Sequence, residues 1–223
     1  MTYTSIQEQY LNIQQQLPEN VQLVAVSKTH PAESIQEIYQ MGQRVFGENK
    51  VQELTEKYPV LPKDIQWHLI GHLQTNKVKY IAEFIDTIES VDSDKLLKEI
   101  DKQAEKHQRK IKVFLQIKIA KEDSKFGLEK GEAEQLYDAY LNGEYPNVEI
   151  AGLMGMATFT DQQQQIESEF NALKTIFDEF TQKAPLKTLS MGMSDDFKLA
   201  IQCGSNCVRV GSAIFGRRNY QQP

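Results

Sequence analysis

Lys28 stands directly after the apolar run Val24-Ala25-Val26, inside the segment Ser27-Lys28-Thr29-His30-Pro31. A lysine drawn partly out of water has its charged form disfavoured, so the neutral amine becomes accessible. A neutral amine can attack an aldehyde and form a Schiff base. The competing reading is a solvated loop lysine, the commoner fate of this residue type. Glu48 and Asn49 follow Phe46-Gly47 in the same way. Asn49 offers both a donor and an acceptor, which suits a ring hydroxyl or the face of a planar ligand. Glu48 is placed to pair with a lysine or to cap the following helix, and the whole segment also reads as a plain turn and cap.

Two histidines, His68 and His72, lie four residues apart. A zinc pair of that spacing needs a helix, but this segment reads as strand and turn, and no cysteine or spaced carboxylate completes a ligand set. No metal is expected, and His68 reads as a hydrogen-bonded interior or rim residue. Gly71 with Thr75 and Asn76 reads as the cap of the next helix. The C-terminal quarter is richer. Met191-Gly192-Met193-Ser194 ends a strand, with Ser194 a candidate helix N-cap. Val210-Gly211-Ser212 ends another. Glycine lets the backbone approach a ligand, and free N–H groups at helix starts favour a phosphate. Asp195 and Asp196 oppose an anion if they point inward, but at a helix start they can face solvent. Arg209, two residues before Gly211, shares its strand face and is a permanent donor. Its alternative role is a structural salt bridge. Cys203 and Cys207 read as buried small side chains.

These residues need a scaffold that brings strand ends together. Strand patterns run over Val21 to Val26, Arg44 to Gly47, Gln66 to Gly71, Asp86 to Ser90, Lys112 to Ile119, Val148 to Met154, Thr188 to Met191 and Cys207 to Val210. Helical patterns lie between them, most clearly from Ser93 to His107 and from Gln163 to Phe180. Ile6, Tyr10, Ile13 and Leu17 form one stripe of a preceding helix, stopped by Pro18. Strands alternating with helices predict a parallel sheet, and eight of them favour an α/β fold of the closed (β/α)8 TIM-barrel type over a doubly wound open sheet. In such a barrel the chemistry sits at the C-terminal strand ends, and the loops after the seventh and eighth strands commonly bind phosphate. That is where Lys28, Asn49, Ser194 and Gly211 fall. The expected organisation is a helix over residues 1–20, a single barrel domain over 21–216 and a tail over 217–223.

The chain has 223 residues, 40% hydrophobic and 25% charged, with a formal net charge of −6. That composition supports a sizeable core. The acidic balance argues against broad nucleic-acid or anionic-membrane binding. No apolar run approaches the ~20 residues that span a bilayer. The polar N-terminus shows no signal pattern, and two cysteines are too few for a disulfide scaffold, so a cytoplasmic protein with free thiols is expected.

Five ordered blocks carry a resemblance. They are Val24-Ala25-Val26-Ser27-Lys28-Thr29-His30-Pro31, Phe46-Gly47-Glu48-Asn49-Lys50-Val51-Gln52-Glu53, Trp67-His68-Leu69-Ile70-Gly71-His72-Leu73-Gln74-Thr75-Asn76-Lys77, Leu189-Ser190-Met191-Gly192-Met193-Ser194-Asp195-Asp196 and Val208-Arg209-Val210-Gly211-Ser212-Ala213-Ile214-Phe215-Gly216. Over most of its length the chain resembles the pyridoxal phosphate homeostasis proteins (the YggS/PROSC family), which share the fold of the N-terminal barrel domain of alanine racemase. The resemblance implies that pyridoxal 5′-phosphate is the cofactor, held as a Schiff base by Lys28. It implies phosphate contacts from Ser194, Gly211 and Ser212, and cofactor contacts from Ser190 and Met193 in the same turns. It places Arg209 at the pyridine nitrogen, Asn49 near the ring and Lys125 on a loop at the barrel mouth. Lys50 stands where an aromatic is often found.

A carrier is expected rather than a catalyst, with no catalytic residues. A pyridine nitrogen facing arginine is not readily protonated, which weakens the electron sink that catalysis draws on. The resembled racemase takes its second base from a further C-terminal domain, and only residues 217–223 follow the last block. The expected partners are pyridoxal phosphate itself and apo-enzymes that depend on it, with a monomer as the expected state. A small amino-acid racemase is the alternative, and an aldolase-type barrel using Lys28 without the cofactor is a third reading.

Overall fold

A computed structural model describes residues 5–121 and 126–216. Eight parallel strands close on themselves in chain order: β1 (Gln22–Val26), β2 (Val45–Glu48), β3 (Gln66–Leu69), β4 (Thr87–Val91), β5 (Ile111–Gln116), β6 (Val148–Met154), β7 (Thr188–Ser190) and β8 (Cys207–Val210). The closing register sets Val24 against Arg209 and Ala25 against Val210. β4 is buried at every position, as expected of a parallel strand covered on both faces. The TIM-barrel expectation is therefore met, and the open-sheet alternative is not.

The outer layer is α1 (Ile6–Gln16), α2 (Ala32–Gln40), α3 (Val51–Lys57), α4 (Asp94–Lys106), α5 (Lys130–Leu141), α6 (Gln163–Lys183), α7 (Phe197–Gln202) and α8 (Ser212–Phe215). α1 begins with a capping box in which Ser5 Oγ accepts from the Glu8 amide and Glu8 accepts from the Ser5 amide. It packs on α8 and buries Tyr10 and Ile13. A preceding helix thereby covers a sector where the last βα unit supplies only four helical residues. Ser93 caps α4, accepting from the Leu96 amide at 3.3 Å.

Three local expectations are corrected. Thr75 and Asn76 do not cap an α-helix. They lie within a short 3-10 helix, Thr75–Tyr80, whose N-cap is Gln74 and has no side-chain cap. β5 ends at Gln116 rather than Ile119, because the Leu128 amide donates to Gln116 O and Lys118 N donates to Leu128 O, turning the chain aside. α6 continues past Phe180 to Lys183, where Ala184 before Pro185 takes the extended backbone that proline imposes on its predecessor. Among the described residues, no helix is long and apolar enough to cross a membrane.

Candidate functional site

The barrel interior changes character along its axis. Val24, Val45 and Cys207 form one small apolar layer, and Phe114, Ala151 and Met154 form another. Beside them lies a polar network. Arg209 Nη1 donates to Ser190 Oγ at 2.5 Å and Nη2 donates to Gly155 O at 3.0 Å. Ser190 Oγ donates to Glu89 Oε2 at 2.6 Å, and the other Glu89 oxygen lies 2.7 Å from His68 Nδ1. All four side chains are buried. Burial alone would push the Glu89 carboxyl up, but the hydrogen bond and charge of His68, with Arg209 and Ser190, outweigh it and hold it below the usual range. Arg209 therefore has both roles open to it: its Nη1 lies 3.6 Å from Glu89 Oε2, and its guanidinium is fixed two residues below Gly211.

A second buried network lies around the end of β1. Ser27 Oγ donates to Glu48 Oε1 at 2.6 Å. Lys57, on α3, donates to the same oxygen at 2.7 Å and to Ser27 O at 3.0 Å. Thr29 N donates to Glu53 Oε2 at 2.6 Å. Thr29 has φ +67°, left-handed backbone that a β-branched residue rarely adopts and that costs about 1–3 kcal/mol. Strand alternation carries Val24 and Val26 toward the interior, and Lys28 follows in the turn over residues 27–30, which the His30 amide closes by donating to Ser27 O at 3.1 Å. Lys28 itself is half-buried. Glu48 Oε2 is buried without a hydrogen-bond partner, and burial pushes this carboxyl up to about 7 against the pull of Lys57 and Ser27.

The last two turns meet each other and β1. Ser194 Oγ accepts from the amides of Gly211 at 3.2 Å and Ala213 at 3.3 Å. Ser194 is therefore not an N-cap; Asp196 holds that position in α7. A Cβ on Gly211 would sit 3.1 Å from Val26 O, so this turn lies against the end of the strand that leads to Lys28. His30 stacks on Phe215 of α8, with ring centroids 5.1 Å apart. Met193 N donates to Asp196 Oδ1 at 2.6 Å. A Cβ on Gly71 would sit 2.9 Å from Asn49 Cα, so the third block buttresses the second.

The profile of the alanine racemase N-terminal domain family matches residues 2–219. A pyridoxal phosphate homeostasis protein of Pasteurella multocida is 40% identical over 208 residues, 91% of this chain and 88% of that protein. This chain belongs to that family. A Schizosaccharomyces pombe member, also named a pyridoxal phosphate homeostasis protein, is 38% identical over 209 residues, 92% of this chain and 87% of that protein. The solved structure of PipY from Synechococcus elongatus with pyridoxal phosphate bound is 38% identical, with TM-score 0.86, covering 95% of this chain and all of that one. Alanine racemase of Clostridium difficile shares the fold at 14% identity and TM-score 0.82, over 97% of this chain and 60% of that one.

Within this family frame, the structure brings most of the sequence-derived residues to one end of the barrel. Lys28, Asn49, Met193, Ser194, Gly211 and Ser212 follow strand ends, while Ser190 and Arg209 belong to β7 and β8. Lys125 lies outside the described residues. His68 is the hydrogen-bonded interior residue expected of it, and Glu48 pairs with a lysine rather than capping α3, whose N-cap is Lys50. Sequence reasoning missed Glu89 and Lys57. The signal for Glu89 was a carboxylate inside the strand pattern Thr87-Ile88-Glu89-Ser90-Val91. A charge within a fully covered strand demands a partner.

Proposed function

We propose that the protein holds pyridoxal 5′-phosphate in a reversible covalent link to Lys28 and serves intracellular pyridoxal phosphate homeostasis, buffering or delivering the compound without robust catalysis of its own. The carrying observation is the meeting of three chemistries at adjoining strand ends. A primary amine follows β1. A buried permanent cation lies in β8. The amides of Gly211 and Ala213 converge with the Ser194 hydroxyl beside the end of β1. When bound, pyridoxal 5′-phosphate supplies an aldehyde for an amine, a phosphate for hydrogen-bond donors and a ring nitrogen that accepts a hydrogen bond. The residues fit those three demands once a phosphate oxygen replaces Ser194 Oγ as the acceptor of the Gly211 and Ala213 amides.

In this reading the turns after β7 and β8 hold the phosphate through Ser194, Gly211 and Ser212, with Ser190 and Met193 shaping the first of them. Arg209 donates to the ring nitrogen and keeps it an acceptor, since guanidinium does not give up its proton. Asn49 lies beside the ring. The relatives' names and the ligand of PipY support this reading. A test is the visible spectrum of the protein mixed with pyridoxal phosphate. The wild type turns yellow. Lys28→Ala loses the band while retaining weak, phosphate-dependent binding. A band of equal strength in Lys28→Ala would refute the assignment.

A further inference from the structure

We propose that Lys57, Glu53 and Glu48 form a clamp behind the barrel wall that positions the turn carrying Lys28 and thereby sets how fast Lys28 joins to an aldehyde. The inference rests on the proposed function of Lys28. Two peptide groups flank the Lys28 Cα, and the cluster ties down both. On one side the Ser27 carbonyl accepts from Lys57 Nζ at 3.0 Å. On the other the Thr29 amide donates to Glu53 Oε2 at 2.6 Å. Lys57 joins the two anchors, because its ammonium also reaches Glu48 Oε1 at 2.7 Å and Glu53 Oε2 at 3.3 Å. An ammonium has three donors, and here three acceptors meet them. Ser27 Oγ closes the ring of contacts on Glu48 Oε1.

Helix packing alone does not account for these contacts. α3 is anchored to the core by Val51 and Leu54, whereas the polar contacts converge on backbone atoms of Ser27 and Thr29. Thr29 is held at φ +67°, a conformation that persists only where the surroundings enforce it. Released from Glu53 and Lys57, the turn can relax toward ordinary backbone and take the Lys28 side chain with it. Linkage joins the Lys28 nitrogen to the aldehyde carbon and releases one water, both protons coming from the amine and the oxygen from the aldehyde; no electrons are exchanged. Such a step depends steeply on the position of the attacking atom, and a displacement of about 1 Å can slow it roughly a hundredfold.

The test compares two ligands on the full chain. Pyridoxal 5′-phosphate reports linkage through the rate at which its visible absorbance changes. Pyridoxine 5′-phosphate carries the same phosphate and ring but no aldehyde, so its affinity reports the site without the link. In Glu53→Ala and Lys57→Met the linkage rate is expected to fall about ten- to a hundredfold, with pyridoxine 5′-phosphate affinity unchanged. Glu53 is only half-buried, so Glu53→Ala keeps the test decisive if Lys57→Met does not fold. An unchanged linkage rate, or parallel loss of both ligands, would overturn the clamp. A wild type that binds pyridoxine 5′-phosphate yet never links through Lys28 would overturn the proposed function first, and the clamp with it.

Discussion

Glu48 and Glu89 are both fully buried carboxyls, yet their surroundings push them in opposite directions. For Glu89 the burial penalty is outweighed by His68, Arg209 and Ser190, and the acid is strengthened. Its stabilising contribution is present above the unfolded-state carboxyl range and is lost as pH falls through its lowered folded value. For Glu48 burial prevails, taking the group from 4.5 to about 7. The folded state then binds the proton more tightly. That contribution is complete below 4.5 and is lost as pH rises to about 7, by at most roughly 3–4 kcal/mol. Glu48→Gln should remove this decline, and urea unfolding of both proteins across that window measures it. Parallel stability curves for wild type and variant would contradict the assignment. Lys28 was legible as a chemistry-bearing residue because it follows a strand end, and Arg209 because it shares a strand face with Gly211. The clamp was not, because Lys57 meets Ser27 across 30 residues and no local pattern records such a contact.

At the scale of elements, turns decide how closely strands approach. Gly211 has φ −119°, which any residue can adopt, so its value lies in space. An added Cβ would stand 3.1 Å from Val26 O and 3.2 Å from Val26 Cβ. Gly211→Ala should part the ends of β1 and β8 slightly and cost about 1–3 kcal/mol, as overpacking does. The displaced amides should weaken pyridoxine 5′-phosphate binding, which calorimetry reads directly. Undiminished affinity would remove Gly211 from the phosphate turn. Most elements were legible from periodicity and punctuation: α1 ends before Pro18, and β6 and β8 match their apolar runs. Two misreadings came from reading caps by residue type alone. Ser194 looks like a cap by type, but Gly211 and Ala213 present amides to it from 17 and 19 residues away. Thr75 and Asn76 likewise suggest a cap, whereas the chain there forms only a short 3-10 turn.

Across the whole molecule, the count of eight strands made the barrel legible, but closure depends on β1 pairing with β8. That contact spans nearly the full chain and leaves no mark on either strand alone. It also makes the site, since it joins the amine of the first βα turn to the amides of the last. A ligand spanning this seam binds only the closed barrel and should therefore stabilise it. At a free concentration 100 times its Kd, pyridoxal phosphate should add about 2.7 kcal/mol. For a chain of this size that raises Tm by roughly 5–10 °C, as scanning calorimetry would show. A Tm indifferent to the ligand would argue against a site at the closure seam. The most direct measurement is reductive trapping: borohydride treatment of the protein with pyridoxal phosphate, followed by peptide mapping. A single pyridoxyl label on Lys28 is predicted. A label on another lysine, or none under saturating ligand, would contradict the account.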